Sequence, residues 1–121
     1  MKKAVTKSNP RLASLILTLK DASRTHEAGI WREIAARLDA PSSNYAEVNI
    51  SKISRYANEG ETILVPGKVL GSGVLEQSVT VAALNFSESA ENKIKGANGT
   101  CMTIEDLIRN NPKGRRVRIL R

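Results

Sequence analysis

The sequence predicts a single layered α/β domain, and three observations carry that expectation. Two amphipathic helical stretches lie between residues 9 and 40, short β-branched runs alternate with helical stretches after residue 45, and apolar residues make up 40% of the 121 positions. A chain of this length builds one core, so residues 1–121 are read as one domain, with a basic tail over 1–8 and a basic segment over 113–121.

The elements follow in order. Asn9-Pro10 reads as an N-cap followed by proline at the first helical position, after which Leu12, Leu15, Ile16 and Leu19 recur at helical spacing. Gly29 is the break before a second helix with Ile30, Ile34 and Leu38 on one face and Glu33 and Arg37 as an i, i+4 pair, stopped by Pro41. Trp31 lies beside that stripe and is assigned to packing. Val48 and Ile50 then alternate as in a strand, and Ser51 is the expected cap of a short helix through Ile53 and Tyr56 that ends near Gly60.

Thr62 to Val65 reads as a strand closed by Pro66-Gly67, and Ser78 to Leu84 as a second strand with Val79, Val81 and Ala83 on one face. Ser87 offers an N-cap for a helix through Ile94 to Gly96, with Glu91 and Lys95 as an i, i+4 pair. Thr103 begins another helix, Asp106 standing where a capping box prefers Glu or Gln, with Leu107 and Ile108 inward and Asn111-Pro112 closing it. Val117 to Leu120 is the last strand. Helices first, then strands alternating with helices, give the expected layering.

Composition narrows the function. Nineteen Lys plus Arg against twelve Asp plus Glu leave a net charge of +7. A sequence pI near 9.9 points to a polyanionic partner, nucleic acid first. The charge is bipolar: residues 1–40 carry a net +4, 41–90 a net −2 and 91–121 a net +5. Lys2, Lys3, Lys7 and Arg11 crowd one end, and Lys113, Arg115, Arg116, Arg118 and Arg121 fill the other with no acid among them. Like charges without counterions repel, so such clusters await an anion. The four aromatic residues, Trp31, Tyr45, Tyr56 and Phe86, are too few for a platform that stacks successive bases.

Other chemistries find no support. One cysteine, Cys101, forbids an intrachain disulfide, and His26 alone cannot complete a four-ligand zinc set with it; no metal or cofactor is expected. Both residues are read as structural, Cys101 as a small buried hydrophobe and His26 as a surface or cap residue. No signal-peptide or membrane-spanning run is evident, so an intracellular protein is expected, and the N-glycosylation patterns at Asn49, Asn85 and Asn98 are accidental. The stretch Pro66 to Gly73 is glycine-rich, but Gly67-Lys68 precedes the other glycines, the reverse of a phosphate-binding loop, and Glu76 stands where a dinucleotide fingerprint needs its third glycine. Two readings stand there: a plain turn, or glycines that let the backbone approach a phosphate marked by Lys68. Glu59, Glu61, Glu105 and Asp106 sit at turns and caps, and no catalytic constellation is present.

Several blocks carry a likeness. Ile30-Trp31-Arg32-Glu33-Ile34-Ala35, then Ala46 to Ile53, Val65 to Gly71, Val79 to Ala83, Thr103 to Leu107 and the ending Val117 to Arg121 together resemble the large-subunit ribosomal protein L-eighteen-e family, in its compact archaeal form. The likeness runs from Asn9-Pro10 to Arg121. It implies a non-catalytic ribosomal constituent, cytoplasmic in the large subunit, with ribosomal RNA and neighbouring ribosomal proteins as partners and neither a membrane nor a small-molecule substrate. A transient RNA chaperone acting outside the ribosome is the alternative. Phosphate contacts are expected from Lys2, Lys3, Lys7 and Arg11 at one end and Lys113, Arg115, Arg116, Arg118 and Arg121 at the other, with Arg24, Arg32, Lys52, Arg55 and Lys68 on the folded surface.

Overall fold

Asn9 opens the first helix as its position predicts: in the computed structural model, which describes residues 9–121, its side chain accepts hydrogen bonds from the backbone N–H groups of Arg11 (2.9 Å) and Leu12 (3.4 Å). Helix α1 (Pro10–His26) buries Leu15, Ile16, Leu19 and Ala22, and helix α2 (Gly29–Asp39) returns along it with Trp31, Ile34, Ala35 and Leu38 buried. Ala40, extended before Pro41, ends α2 because the proline ring disfavours a helical residue ahead of it. Trp31 is fully buried, and its indole N–H donates to the Pro112 carbonyl at 2.7 Å, which confirms packing as its role.

The remaining elements build a five-stranded parallel sheet. A single 3-10 turn (Ser42–Asn44) leads to β1 (Ala46–Asn49), followed by α3 (Ile50–Tyr56), β2 (Thr62–Leu70), β3 (Thr80–Phe86), α4 (Glu88–Gly96), β4 (Thr100–Thr103), α5 (Ile104–Asn110) and β5 (Val117–Ile119). The order is β1-β2-β3-β4, all neighbours parallel, and β5 pairs with the first half of β2, Thr62 to Leu64 facing Val117 to Ile119. Strand β1 pairs with the second half, Ala46 to Asn49 facing Gly67 to Leu70.

Two apolar clusters sandwich the sheet. Leu64 and Ala82 pack beneath α1, α2 and α5, whereas Ile63, Val65, Val69, Val81 and Ala83 pack against α3 and α4. Helices α3 and α4 therefore cover one face, and α5, which carries the chain back from β4 to β5, covers the other. Reversing direction along the sheet requires changing face if every crossover is right-handed. Among the described residues no polar or charged side chain is buried, so their charged groups lie at the surface or half-covered.

Several expectations need correction. Strand β2 runs through Pro66-Gly67 instead of ending there. The Thr62 N–H donates to Arg116 O and the Leu64 carbonyl accepts from the Leu120 N–H. Alternation then places Pro66 on that same edge, in the gap between β5 and β1, where its missing N–H costs no ladder bond. The ladder to β3 absorbs the irregularity as a register shift between Val65 and Lys68.

Ile50 opens α3 and does not extend β1, and the N-cap is Asn49, not Ser51. Helix α3 stops at Tyr56, four residues short of Gly60, because Ala57 turns to an extended conformation. Strand β3 begins two residues later than read and runs on to Phe86. Strand β4, over Thr-Cys-Met-Thr, was not foreseen: four residues with a neighbouring glycine give too short a run for alternation to register. The caps at Ser87 and Thr103 hold, and Asp106 completes the Thr103 capping box despite being one methylene shorter than Glu.

A candidate RNA interface

Helix α3 and strand β5 come from opposite halves of the chain and meet at one corner of the sheet. The α3 sequence Ile-Ser-Lys-Ile-Ser-Arg-Tyr buries Ile50 and Ile53, which leaves Lys52, Arg55 and Tyr56 towards the outside. The Lys52 ammonium donates to the Arg121 carbonyl at 2.6 Å. The guanidinium carbons of Arg55 and Arg118 each lie 5.9 Å from the centre of the Tyr56 ring. No ion pair engages Lys52, Arg55 or Arg118 among the described residues, so these cations gather with one half-exposed ring; Arg121 joins them through its main-chain oxygen and borders a hollow shared with Arg37 and Glu47.

The turn that leads into β5 displays two more cations. Asn111 clamps it, its amide donating to the Arg115 carbonyl at 2.8 Å and its oxygen accepting the Arg115 N–H at 3.1 Å. Lys113 and Arg115 are left exposed and unpaired. Arg116 behaves differently, since its guanidinium donates to the Gly60 and Glu59 carbonyls and so ties this turn to the one before β2.

Arg11 is held by the protein itself. Its Nε and one terminal nitrogen bind the two Glu105 oxygens at 2.9 and 3.0 Å, and the other terminal nitrogen donates to the Leu84 carbonyl. The Arg11 hydrogen bond holds the Glu105 carboxyl below its ordinary range, against an opposing push from partial burial. Beside this pair lies a groove bordered by Tyr45, Glu47, Lys68 and Asn85, in which Lys68 stands level with Glu47 on β1 and Asn85 on β3.

Residues 1–121 match the sequence model of a family described as ribosomal protein 60S L18 and 50S L18e. The chain is 76% identical over 117 residues to the large ribosomal subunit protein eL18 of Methanosphaerula palustris, covering 97% of each chain. It is 69% identical to that of Methanoregula boonei over the full length of both, and 51% identical to that of Halobacterium salinarum over 97% of this chain and all of the relative. The chain belongs to the L18/L18e family of large-subunit ribosomal proteins.

In this L18e-family chain the cations singled out from the sequence fall into three groups. Lys2, Lys3 and Lys7 lie outside the described residues. Arg11 is paired with Glu105, Arg24 with Asp21 at 3.3 Å where both are largely exposed, and Arg116 is spent on carbonyls. Arg32, Lys52, Arg55, Lys68, Lys113, Arg115, Arg118 and Arg121 carry no acid partner. Tyr56 was missed as a surface group because, in a short helix read only by its apolar spacing, an aromatic looks like core.

The glycine-rich stretch also has a different meaning from the phosphate expectation. A Cβ at Gly67 would stand 1.9 Å from the Ala46 carbonyl oxygen, and one at Gly73, where φ is +113°, 2.6 Å from Ser51. What the backbone approaches so closely is the protein, strand β1 and the start of α3. Nor is the stretch a plain turn, for it joins two parallel strands. Lys93 secures it by donating to the Gly71 and Gly73 carbonyls at 2.5 and 2.7 Å. Cys101 is half-covered on β4 and not fully buried as expected, and burial pushes its thiol pKa up, with Glu91 adding to the rise. His26 is the last residue of α1.

Proposed function

We propose that this chain binds and stabilises folded ribosomal RNA as a constituent of the cytoplasmic large ribosomal subunit, through arginine and lysine contacts to phosphate and without catalysis. One observation carries the reading: of the sixteen Lys and Arg among residues 9–121, five pair with an acid and eleven do not. A surface that only needed solubility would intersperse both signs, as most of α1 and α2 does. Here the unpaired cations gather at Lys52, Arg55, Arg118 and Arg121 and at Lys113 and Arg115. Membership of a large-subunit ribosomal family supplies the RNA that would meet them. A-form RNA offers backbone oxygens and 2′-hydroxyls more readily than base edges, which suits guanidinium contacts.

The test is a salt titration of the full chain on protein-free large-subunit ribosomal RNA. If about six to ten cations neutralise phosphate, affinity falls by about 10³ to 10⁵ between 50 and 200 mM salt, scaling from duplex DNA. A flat response contradicts the reading. Failure to co-sediment with large subunits at physiological ionic strength contradicts the placement in the particle and favours a transient chaperone.

A further inference from the structure

We propose that Arg55, Tyr56 and Arg118 form a seat for one unstacked RNA nucleotide, its phosphate held between the two guanidiniums and its base laid against the tyrosine ring. The proposal deepens the RNA-binding reading and rests on it.

The geometry at this corner is specific. Both guanidiniums lie 5.9 Å from the same ring centre, so they stand no more than about 12 Å from each other. The negative face of an aromatic ring attracts each cation, but it does not cancel two full charges. Lys52 adds a further positive charge on the same helix, its ammonium held by the Arg121 main-chain oxygen. Of the acids on the elements packed around the corner, Glu47 of β1 borders the same hollow as Arg121. Helix α3 and strand β5 contain none, and Glu59 and Glu61 on the intervening turn make no ion pair with either arginine. Neither arginine therefore has an acid partner among the described residues, and the pair is open to an anion.

The ring sharpens the identity of that anion. Tyr56 is 39% exposed, one of three large apolar side chains left open among the described residues. It is the last residue of α3, and the chain leaves at Ala57 in an extended conformation, so no further helical turn covers the ring. An acidic peptide would satisfy the arginines and leave the ring bare. A base-paired strand would present phosphate but keep its bases stacked inside the duplex. A bulged or looped nucleotide offers both an anion and a flat base, and base–aromatic stacking does not depend on which base it is. A single ring suits a single nucleotide, consistent with a chain too poor in aromatics to stack a run of bases.

The experiment measures binding of the full chain to protein-free large-subunit ribosomal RNA, with wild type, Tyr56→Ala, Tyr56→Leu and the double variant Arg55→Gln/Arg118→Gln. Because Tyr56 is outside the core, all four should show the same circular dichroism, and Tyr56→Leu keeps apolar bulk should alanine loosen the corner. Both Tyr56 variants should bind about 5- to 150-fold more weakly, the equivalent of about 1–3 kcal/mol of stacking, with an unchanged salt slope. The arginine double variant should lower the salt slope by about two. Irradiation of the wild-type complex at short wavelength should cross-link Tyr56 to a nucleotide that is unpaired in the RNA. Wild-type affinity in Tyr56→Leu, or a cross-link only to paired nucleotides, overturns the seat while leaving RNA binding standing. Binding of poly-glutamate that needs Arg55 and Arg118, with RNA affinity unmoved in the double variant, assigns the patch to an acidic protein and also overturns it. A wild type with no salt-dependent RNA binding fails at the earlier reading instead.

Discussion

Arg11 shows how little of a cation's role its position in the chain reveals. It stands in a run of basic residues, yet its guanidinium is taken by Glu105, ninety-four positions away, and by the Leu84 carbonyl. The pair ties the first turn of α1 to the first turn of α5, on the same face of the sheet. Glu105 has its pKa lowered in the folded state, first by the Arg11 hydrogen bond. A carboxyl depressed by folding contributes stability that is fully present above its ordinary range and is lost as the pH falls through the folded value. Glu105→Gln should therefore destabilise the protein at neutral pH, by less than about 1 kcal/mol because the pair is part-exposed. Urea midpoints of variant and wild type should converge in acid, below the carboxylate range. An equal gap at neutral and acid pH would show that the pair does not act through charge. The residues legible in advance were the caps, Asn9, Ser87 and Thr103, whose partners lie within three positions. Tyr56 was not legible, because its exposure depends on how much helix follows it.

At the scale of elements, local pattern succeeded where a helix has two or more turns and failed where a strand is short or interrupted. Helices α1, α2 and α4 repeat their apolar residues often enough to fix their bounds closely. Strand β2 instead passes through Pro66 and Gly67, residues that ordinarily end a strand. Both are tolerated because two short strands share one edge of β2 end to end, and β1 approaches so closely that position 67 has no room for a side chain. Gly67→Ala should push β1 from β2 and cost about 1–3 kcal/mol in urea unfolding, the usual range for overpacking. Gly29→Ala is the matching control: a Cβ there meets nothing within 4 Å, and the helix should gain about 0.4–1 kcal/mol. Similar values for both would mean that the β1–β2 contact is not tight.

The whole molecule turns a basic C-terminal segment into structure. Residues 117–119 are a strand of the sheet, and Leu120 is buried with Ile53, Ile63 and Val65 on the α3 and α4 face. The cations of this segment are thus mounted on a rigid edge. Leu120→Ala should destabilise the fold by about 2–5 kcal/mol, the range for emptying a leucine site in a core. Thermal unfolding checks this, and an unchanged midpoint would return the segment to the status of an appendage. Only at this scale do Lys52 and Arg55, from the mildly acidic middle of the chain, become neighbours of Arg118 and Arg121. Counting charge in blocks along the sequence assigned the two sets to different regions, and parallel pairing of β5 with β2 brings them together.

By itself the sequence determined the identity of most elements, the α/β layering, the charge excess and the family, because helical periodicity, caps and motif blocks are local and survive without knowledge of what they touch. The tertiary structure decided which cations are consumed internally and which face outwards as a group. That choice depends on strand order and crossover side, which join residues dozens of positions apart, and no short-range pattern encodes them.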